Sequence, residues 1–250
     1  MFYEESPALG GLSPNRKIKK YDMANIFTSS IGRKLIMSIT GAFLLLFLTF
    51  HLVMNATLIF SESAYNAICA FLGANWYALI GTAVLAAGVG FHFLYAIILT
   101  LRNMKARGNI RYAVRKKEPG VEWASKNMFI LGAIVLIGLL LHLYNFWYNM
   151  QLTEIMGDHV NSFGQSPTDG AWLVKHTFSS IWYVLIYLAW FVALWLHLTH
   201  GVWSMLQTVG WNSKVWMKRL KVISYIVSTL LMGGFALVVI VLYLQANGII

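Results

Sequence analysis

Five stretches of this chain are long enough to cross a bilayer and contain no Asp, Glu, Lys or Arg: Leu35–Phe60, Trp76–Leu101, Asn127–Met150, Ile181–Gln207 and Val222–Leu244. A run of about 20 apolar residues spans the ~30 Å hydrocarbon core as one α-helix. Only a helix or a closed barrel satisfies its own backbone polar groups in hydrocarbon. The pattern therefore predicts an all-α integral membrane protein with five transmembrane helices. Composition agrees, with 11% charged residues where soluble domains carry about 25%. The first run exceeds the roughly 7–15-residue core of a signal peptide and no small-residue cleavage site follows it, so it is expected to remain as a span. Residues 1–34 are expected to form an N-terminal segment and 35–245 the membrane domain. The four connections are too short for a separate soluble domain.

The net charge of +10 is an orientation signal rather than a nucleic-acid footprint. All but one of the 19 lysines and arginines lie in three places. Arg16, Lys17, Lys19, Lys20, Arg33 and Lys34 precede or open the first span. Arg102, Lys105, Arg107, Arg111, Arg115, Lys116, Lys117 and Lys126 follow the second, and Lys214, Lys218, Arg219 and Lys221 follow the fourth. With five spans these places share one side, and Lys175 stands alone on the other with Glu62, Glu154, Asp158 and Asp169. The positive-inside rule then puts the N-terminus in the cytoplasm and the C-terminus outside. The basic face, mainly residues 102–126, is the expected docking surface for a partner. It also suits anionic lipid headgroups. The single cysteine, Cys69, excludes an internal disulfide and the paired-cysteine attachment of a c-type haem.

Ionisable groups inside spans are costly and usually functional. Here all are histidines: His51, His92, His142, His197 and His200. The first four helices each carry at least one. Counting from the span ends at about 1.5 Å per residue puts His51 and His142 in the outer half of the bilayer and His92 and His197 in the inner half, roughly 10 Å apart. Two pairs, each drawn from two helices, suggest two bis-histidine haems b, because imidazole is a haem ligand and bundle cofactors are held by facing helices. Small residues stand one turn from three of the four: Gly88 and Ala96 beside His92, Gly138 beside His142, and Ala193 and Gly201 beside His197. Ordinary close helix packing also uses such residues. His200 has Leu196 and Ser204 at that spacing and is the weaker ligand, better suited to hydrogen-bonding a haem propionate. Arg33 and Lys34, at the mouth of the first helix, are also suited to propionates. Asp158 and His159 adjoin in the outer connection but lack further metal ligands at useful spacing.

Four segments carry a family likeness: SSIGRKLIMSITGAFLLLFLTFHLVMN (29–55), GFHFLYA (90–96), LLLHLYNFWYN (139–149) and HLTHGVWSMLQTVGW (197–211). They resemble the cytochrome b membrane anchor of succinate:quinone oxidoreductases and fumarate reductases, in its single-subunit, five-helix, di-haem form found in Bacteroidetes-like bacteria. The resemblance covers about residues 28–245. It implies a four-helix haem-binding bundle with a peripheral fifth helix, two haems b, menaquinone, a flavoprotein and an iron–sulphur partner, and the bacterial inner membrane. It assigns His51 and His142 to a distal haem and His92 and His197 to a proximal one, with Ser38 near a proximal propionate. Two departures stand out. Some relatives carry a glutamate where this chain has Trp195, which puts that proton route in doubt. Relatives also use a carboxylate near the outer end of the second helix to oxidise menaquinol. Tyr65 or Asn66 stands there, with Glu62 one turn away as the candidate quinone residue.

The alternatives are the haem subunit of another quinone-linked oxidoreductase, a histidine-lined transporter and an anchor without haem. A transporter is expected to carry carboxylates or broken helices at mid-membrane. Neither is visible in the spans. Whether complexes pair into dimers is left open.

Overall fold

The computed structural model describes residues 29–107, 123–211 and 213–250. Arg16, Lys17, Lys19, Lys20, Arg111, Arg115, Lys116, Lys117 and most of the expected docking surface lie outside them. Five helices are long and apolar enough to cross a membrane, so the chain is a multi-pass, all-helical protein across the described residues. They are α1 (Ser30–Phe60), α3 (Trp76–Arg107), α5 (Met128–His142) with its continuation, α8 (Ile181–Thr208) and α9 (Lys214–Ala246). Four shorter helices accompany them: α2 (Glu62–Phe71), α4 (Trp123–Lys126), α6 (Thr153–Ile155) and α7 (Gly170–Phe178).

At the basic end the helices outrun their apolar cores. α1 begins five residues before Leu35 and α9 eight before Val222. Lysine and arginine are good helix formers, and their long stems let the charge reach water from a helical position. Caps set the starts. The Ser29 hydroxyl accepts from Gly32 N at 2.9 Å, and that of Ser213 from Trp216 N at 3.3 Å. Ser61 closes one helix and opens the next: its N–H donates to Thr57 O, and its hydroxyl accepts from Ala64 N.

The third span changes pitch. Directly after His142, residues Leu143–Leu152 form a π-helix that leads into α6. Side chains support the wider turn. Asn149 Nδ2 donates to Tyr144 O and Asn145 O, each at 3.2 Å, and Thr153 Oγ1 donates to Tyr148 O at 2.9 Å. π-turns of this kind recur at functional sites.

α9 packs along α8, and α1 packs on α3, α8 and α9. α5 packs on α8 and meets α3 only sparsely. Leu220, Leu242, Ser224 and Ser228 of α9 are fully buried. Large apolar side chains such as Leu46, Ile137 and Leu230 stand about two-thirds exposed. A water-soluble monomer rarely shows such a surface, whereas for a membrane protein it is the lipid contact.

Opposite the basic end, polar contacts tie the connections together. Asn66 Nδ2 donates to Asp169 Oδ1 at 2.8 Å and Asn66 Oδ1 accepts from Ala171 N at 2.8 Å, fastening α2 to the start of α7. Gln151, in the π-helix, donates to Gly73 O at 3.0 Å and accepts from Thr82 Oγ1 at 2.8 Å and Trp147 Nε1 at 2.9 Å. Glu154 accepts from Ala74 N at 2.5 Å. Replacing Gln151 with leucine leaves the buried Gly73 carbonyl without its donor, a loss of about 1–3 kcal/mol. We expect Gln151→Leu to lower the thermal unfolding midpoint in detergent by several degrees. An unchanged midpoint would mean that this latch bears no load.

Candidate functional site

The four histidines expected to pair do come together in those pairs. The imidazole centroids of His51 (α1) and His142 (α5) lie 5.7 Å apart with ring planes at 85°. Those of His92 (α3) and His197 (α8) lie 6.3 Å apart at 57°. A metal bond from an imidazole nitrogen is about 2.0–2.1 Å and the nitrogen sits roughly 1 Å from its ring centre, so two rings trans on one metal have centroids about 6 Å apart. Both separations match that spacing.

The pairs sit at two levels. The Thr40 hydroxyl lies 3.1 Å from His92 Nδ1, and Thr40 and His51 are eleven residues apart on α1. Eleven residues make three turns, so both face the same side about 16 Å apart. On α5, Gly132 stands opposite His197 and His142 follows ten residues later, about 15 Å along the helix.

Each level has its own surroundings. Phe47 stacks on His51 at 5.3 Å, and Phe235 of α9 lies 5.8 Å from it. Phe146, Trp190 and Tyr187 stand 5.1, 5.9 and 6.3 Å from His142. The fifth span, expected at the periphery, thus supplies one wall of the His51 site. The Tyr187 hydroxyl accepts from Asn145 Nδ2 at 3.1 Å. Around the second pair the walls are glycines. A Cβ placed on Gly41 would lie 3.6 Å from His92 Cε1, and one on Gly132 3.8 Å from His197 Cε1. These glycines leave a cradle that any side chain would fill.

Of the small residues singled out beside the histidines, two face occupied space. Phe43 fills the space at Gly88, and the Trp190 indole fills that at Gly138. Gly201 faces open space. The glycines that do face imidazole are Gly41 and Gly132, to which one-turn spacing from a histidine does not point. A signal for them exists: each begins an eleven-residue segment that ends in a histidine, GAFLLLFLTFH and GAIVLIGLLLH.

Haem fits the residues present on two observations. The pair separations suit two imidazoles sharing one metal. Thr40 engages Nδ1 of His92, leaving Nε2 as the nitrogen for a metal, as outer hydrogen bonds do for ligating histidines.

The expected propionate residues divide. Arg33 is buried seven residues before Thr40, hence on the face of α1 that meets His92. Lys34 is exposed. Ser38 is buried, its hydroxyl donating to Lys34 O at 3.0 Å. His200 stands edge-on to Trp203 at 4.8 Å. Glu62 forms an ion pair with Lys175 that links α2 to α7. Trp195 Nε1 donates to Thr229 Oγ1 at 3.0 Å, joining α8 to α9. Of Tyr65 and Asn66, Tyr65 connects to the first pair: its hydroxyl donates to Asn55 Oδ1 at 3.2 Å, and Asn55 Nδ2 donates to His51 O at 2.8 Å. Asn66 serves α7.

Comparison with protein-family models, with curated proteins and with solved structures returns no match.

Burial pushes the Tyr65 phenol above its ordinary value. Burial also pushes the neighbouring Cys69 thiol up to about 11 from 9.0, partly offset by its hydrogen bond with Tyr65. The thiolate is the nucleophile, so at neutral pH its population falls about 100-fold below that of a free thiol. Alkylation of Cys69 in the folded protein should be slow at pH 7 and still climbing at pH 9.5. A plateau below pH 9 would show that the thiol is not held in this apolar contact.

Proposed function

We propose that this chain is the membrane-anchor and di-haem electron-transfer subunit of a succinate dehydrogenase/fumarate reductase complex. It would join an iron–sulphur subunit and a flavoprotein subunit on the cytoplasmic side to menaquinone in a bacterial inner membrane. The observation that carries the reading is the meeting of four intramembrane histidines from four helices as two pairs at ligand spacing.

Bound haem would supply the one-electron couple, its potential tuned by axial ligands and surroundings. His51 and His142 would hold the distal haem, and His92 and His197 the proximal one. α1, α3, α5 and α8 would form the haem-binding bundle. α9 would lie outside it and close the His51 side with Phe235. Thr40 fixes the orientation of His92 through Nδ1. Aromatic rings would wall the first pair, and Gly41 and Gly132 face the rings of the second from neighbouring helices. Arg33 is the propionate partner best supported by position, because it is buried on the His92-facing side of α1. Lys34, Ser38 and His200 are secondary candidates. Dicarboxylate chemistry would occur on the flavoprotein, and this chain would bind quinone. Glu62 and the Tyr65–Asn55 link lie at the end of the molecule nearer His51, where a quinone would meet the distal site. Residues 102–126 are the docking surface for the soluble subunits.

The test is to purify the complex, record its reduced-minus-oxidised spectrum and count protohaem per chain. Two low-spin haems b per chain are expected, falling to about one in His197→Ala and staying at two in His200→Ala. An intact, folded preparation without haem overturns the reading. Loss of haem in His200→Ala with retention in His197→Ala would exchange the roles of the two residues.

A further inference from the structure

At the basic end of the molecule, one helix joins cations, aromatic rings and lipid-facing aliphatics within two turns. α9 opens with Lys214, Lys218, Arg219 and Lys221 and contains no acidic residue. The acids among the described residues, Glu62, Glu154, Asp158 and Asp169, all belong to the opposite end. Among the described residues, the basic end thus carries cations and no acid.

Position within the helix narrows the partner. Lys218 and Arg219 are exposed. One turn deeper on the same faces stand Val222, 58% exposed, and Ile223, 40% exposed, with Ile226, 53% exposed, below Val222. Residues i and i+4 share a helix face, so each cation sits directly above an aliphatic ladder. A soluble acidic protein would match the cations and leave the ladder bare. An amphiphile with a negative head matches both.

Two of the cations are also held in place. The Arg219 guanidinium lies 5.5 Å from the centre of the Trp216 ring, and Lys221 Nζ lies 5.1 Å from that of Trp203. Trp211 packs on Trp216 at 5.4 Å. Tryptophan settles at the headgroup level of a bilayer. A cation resting on an aromatic face has already lost part of its rotamer freedom, which lowers the cost of ordering it around a ligand. On α3, Arg102 and Lys105 also stand above exposed Ile98 and Leu101. Both cation–π contacts found among the described residues nevertheless involve cations of α9.

We propose that the first two turns of α9, with Trp216 and the Val222–Ile223 turn beneath them, bind the headgroup of an anionic phospholipid. The phosphate would lie against Lys218 and Arg219 and an acyl chain along Val222 and Ile226. The proposal rests on the five-span architecture and is independent of haem.

The test uses the intact chain with whatever subunits co-purify, in mild detergent. Retention of phosphatidylglycerol and of phosphatidylcholine is measured by native mass spectrometry. Each cation near the headgroups contributes about fivefold in affinity, so the double variant Lys218→Gln/Arg219→Gln should lose at least about tenfold of the preference for phosphatidylglycerol. Arg102→Gln/Lys105→Gln should keep most of it. Trp216→Leu leaves the charge intact and should weaken retention by a few-fold, which covers the case of a poorly folded double variant. Equal retention of the two lipids by the wild type overturns the proposal, as does an equal loss in the α3 variant. Displacement by millimolar inorganic phosphate would make this a free-anion site. Loss of a soluble subunit with lipid retention unchanged would make it a protein dock. Either result also overturns the proposal. A haem-free preparation that still prefers phosphatidylglycerol would leave this proposal standing and end the preceding one.

Discussion

A polar side chain carried into hydrocarbon has no water to fall back on, so its partners must come from the protein or from something the protein holds. That constraint organises this molecule. Within the charge-free runs of the spans, the side chains that could ionise near neutral pH are histidines, and four of them meet another histidine across a helix boundary. Other intramembrane polar groups follow the same rule at lower cost. Thr40 bonds both to its own helix and to His92. Asn55 bonds to the His51 carbonyl, and the Ser224 hydroxyl bonds to the Thr199 carbonyl at 2.6 Å. Nδ1 of His197 and Oγ of Ser228 are exceptions among them.

α8 connects the two levels. Trp190 and His197 are seven residues apart, two turns along one face. Trp190 reaches His142 and fills the gap at Gly138, while His197 meets His92. Trp190 Nε1 donates to Val135 O at 3.1 Å, fixing α8 against α5 between the levels. A shift of α8 along its axis would therefore disturb both pairs together. α9 braces the other side of α8 through Ser224 and through the Trp195–Thr229 bond.

The ends of the molecule are built differently. At the α2/α7 end, side-chain amides and carboxylates sew short helices over the spans, and the π-helical turn after His142 supplies Gln151 to that seam. At the opposite end, capped helices run out into lysine and arginine. One end is closed by internal hydrogen bonds, and the described helices at the other open on lysine and arginine.

The five spans, the uneven distribution of charge and the identity of the histidine pairs were legible in the sequence. Each follows from local rules: span length, the cost of charge in hydrocarbon, and residue counts along a rod of known rise. The short helices α2 and α7, the π-helix and the aromatic shell were not, because they depend on which helices touch. Gly88 and Gly138 show the difference plainly. Their spacing to a histidine on the same helix suggested clearance, yet Phe43 and Trp190 from neighbouring helices occupy those spaces. Open space does remain at Gly201, one turn from His197 as its spacing suggested, while Gly41 and Gly132 face the rings from neighbouring helices. Sequence spacing reports the faces of one helix, whereas a space between helices is fixed by how several of them tilt and pack. The chain alone therefore determined which segments are long and apolar enough to cross a membrane and which histidines pair, and tertiary packing decided what surrounds them.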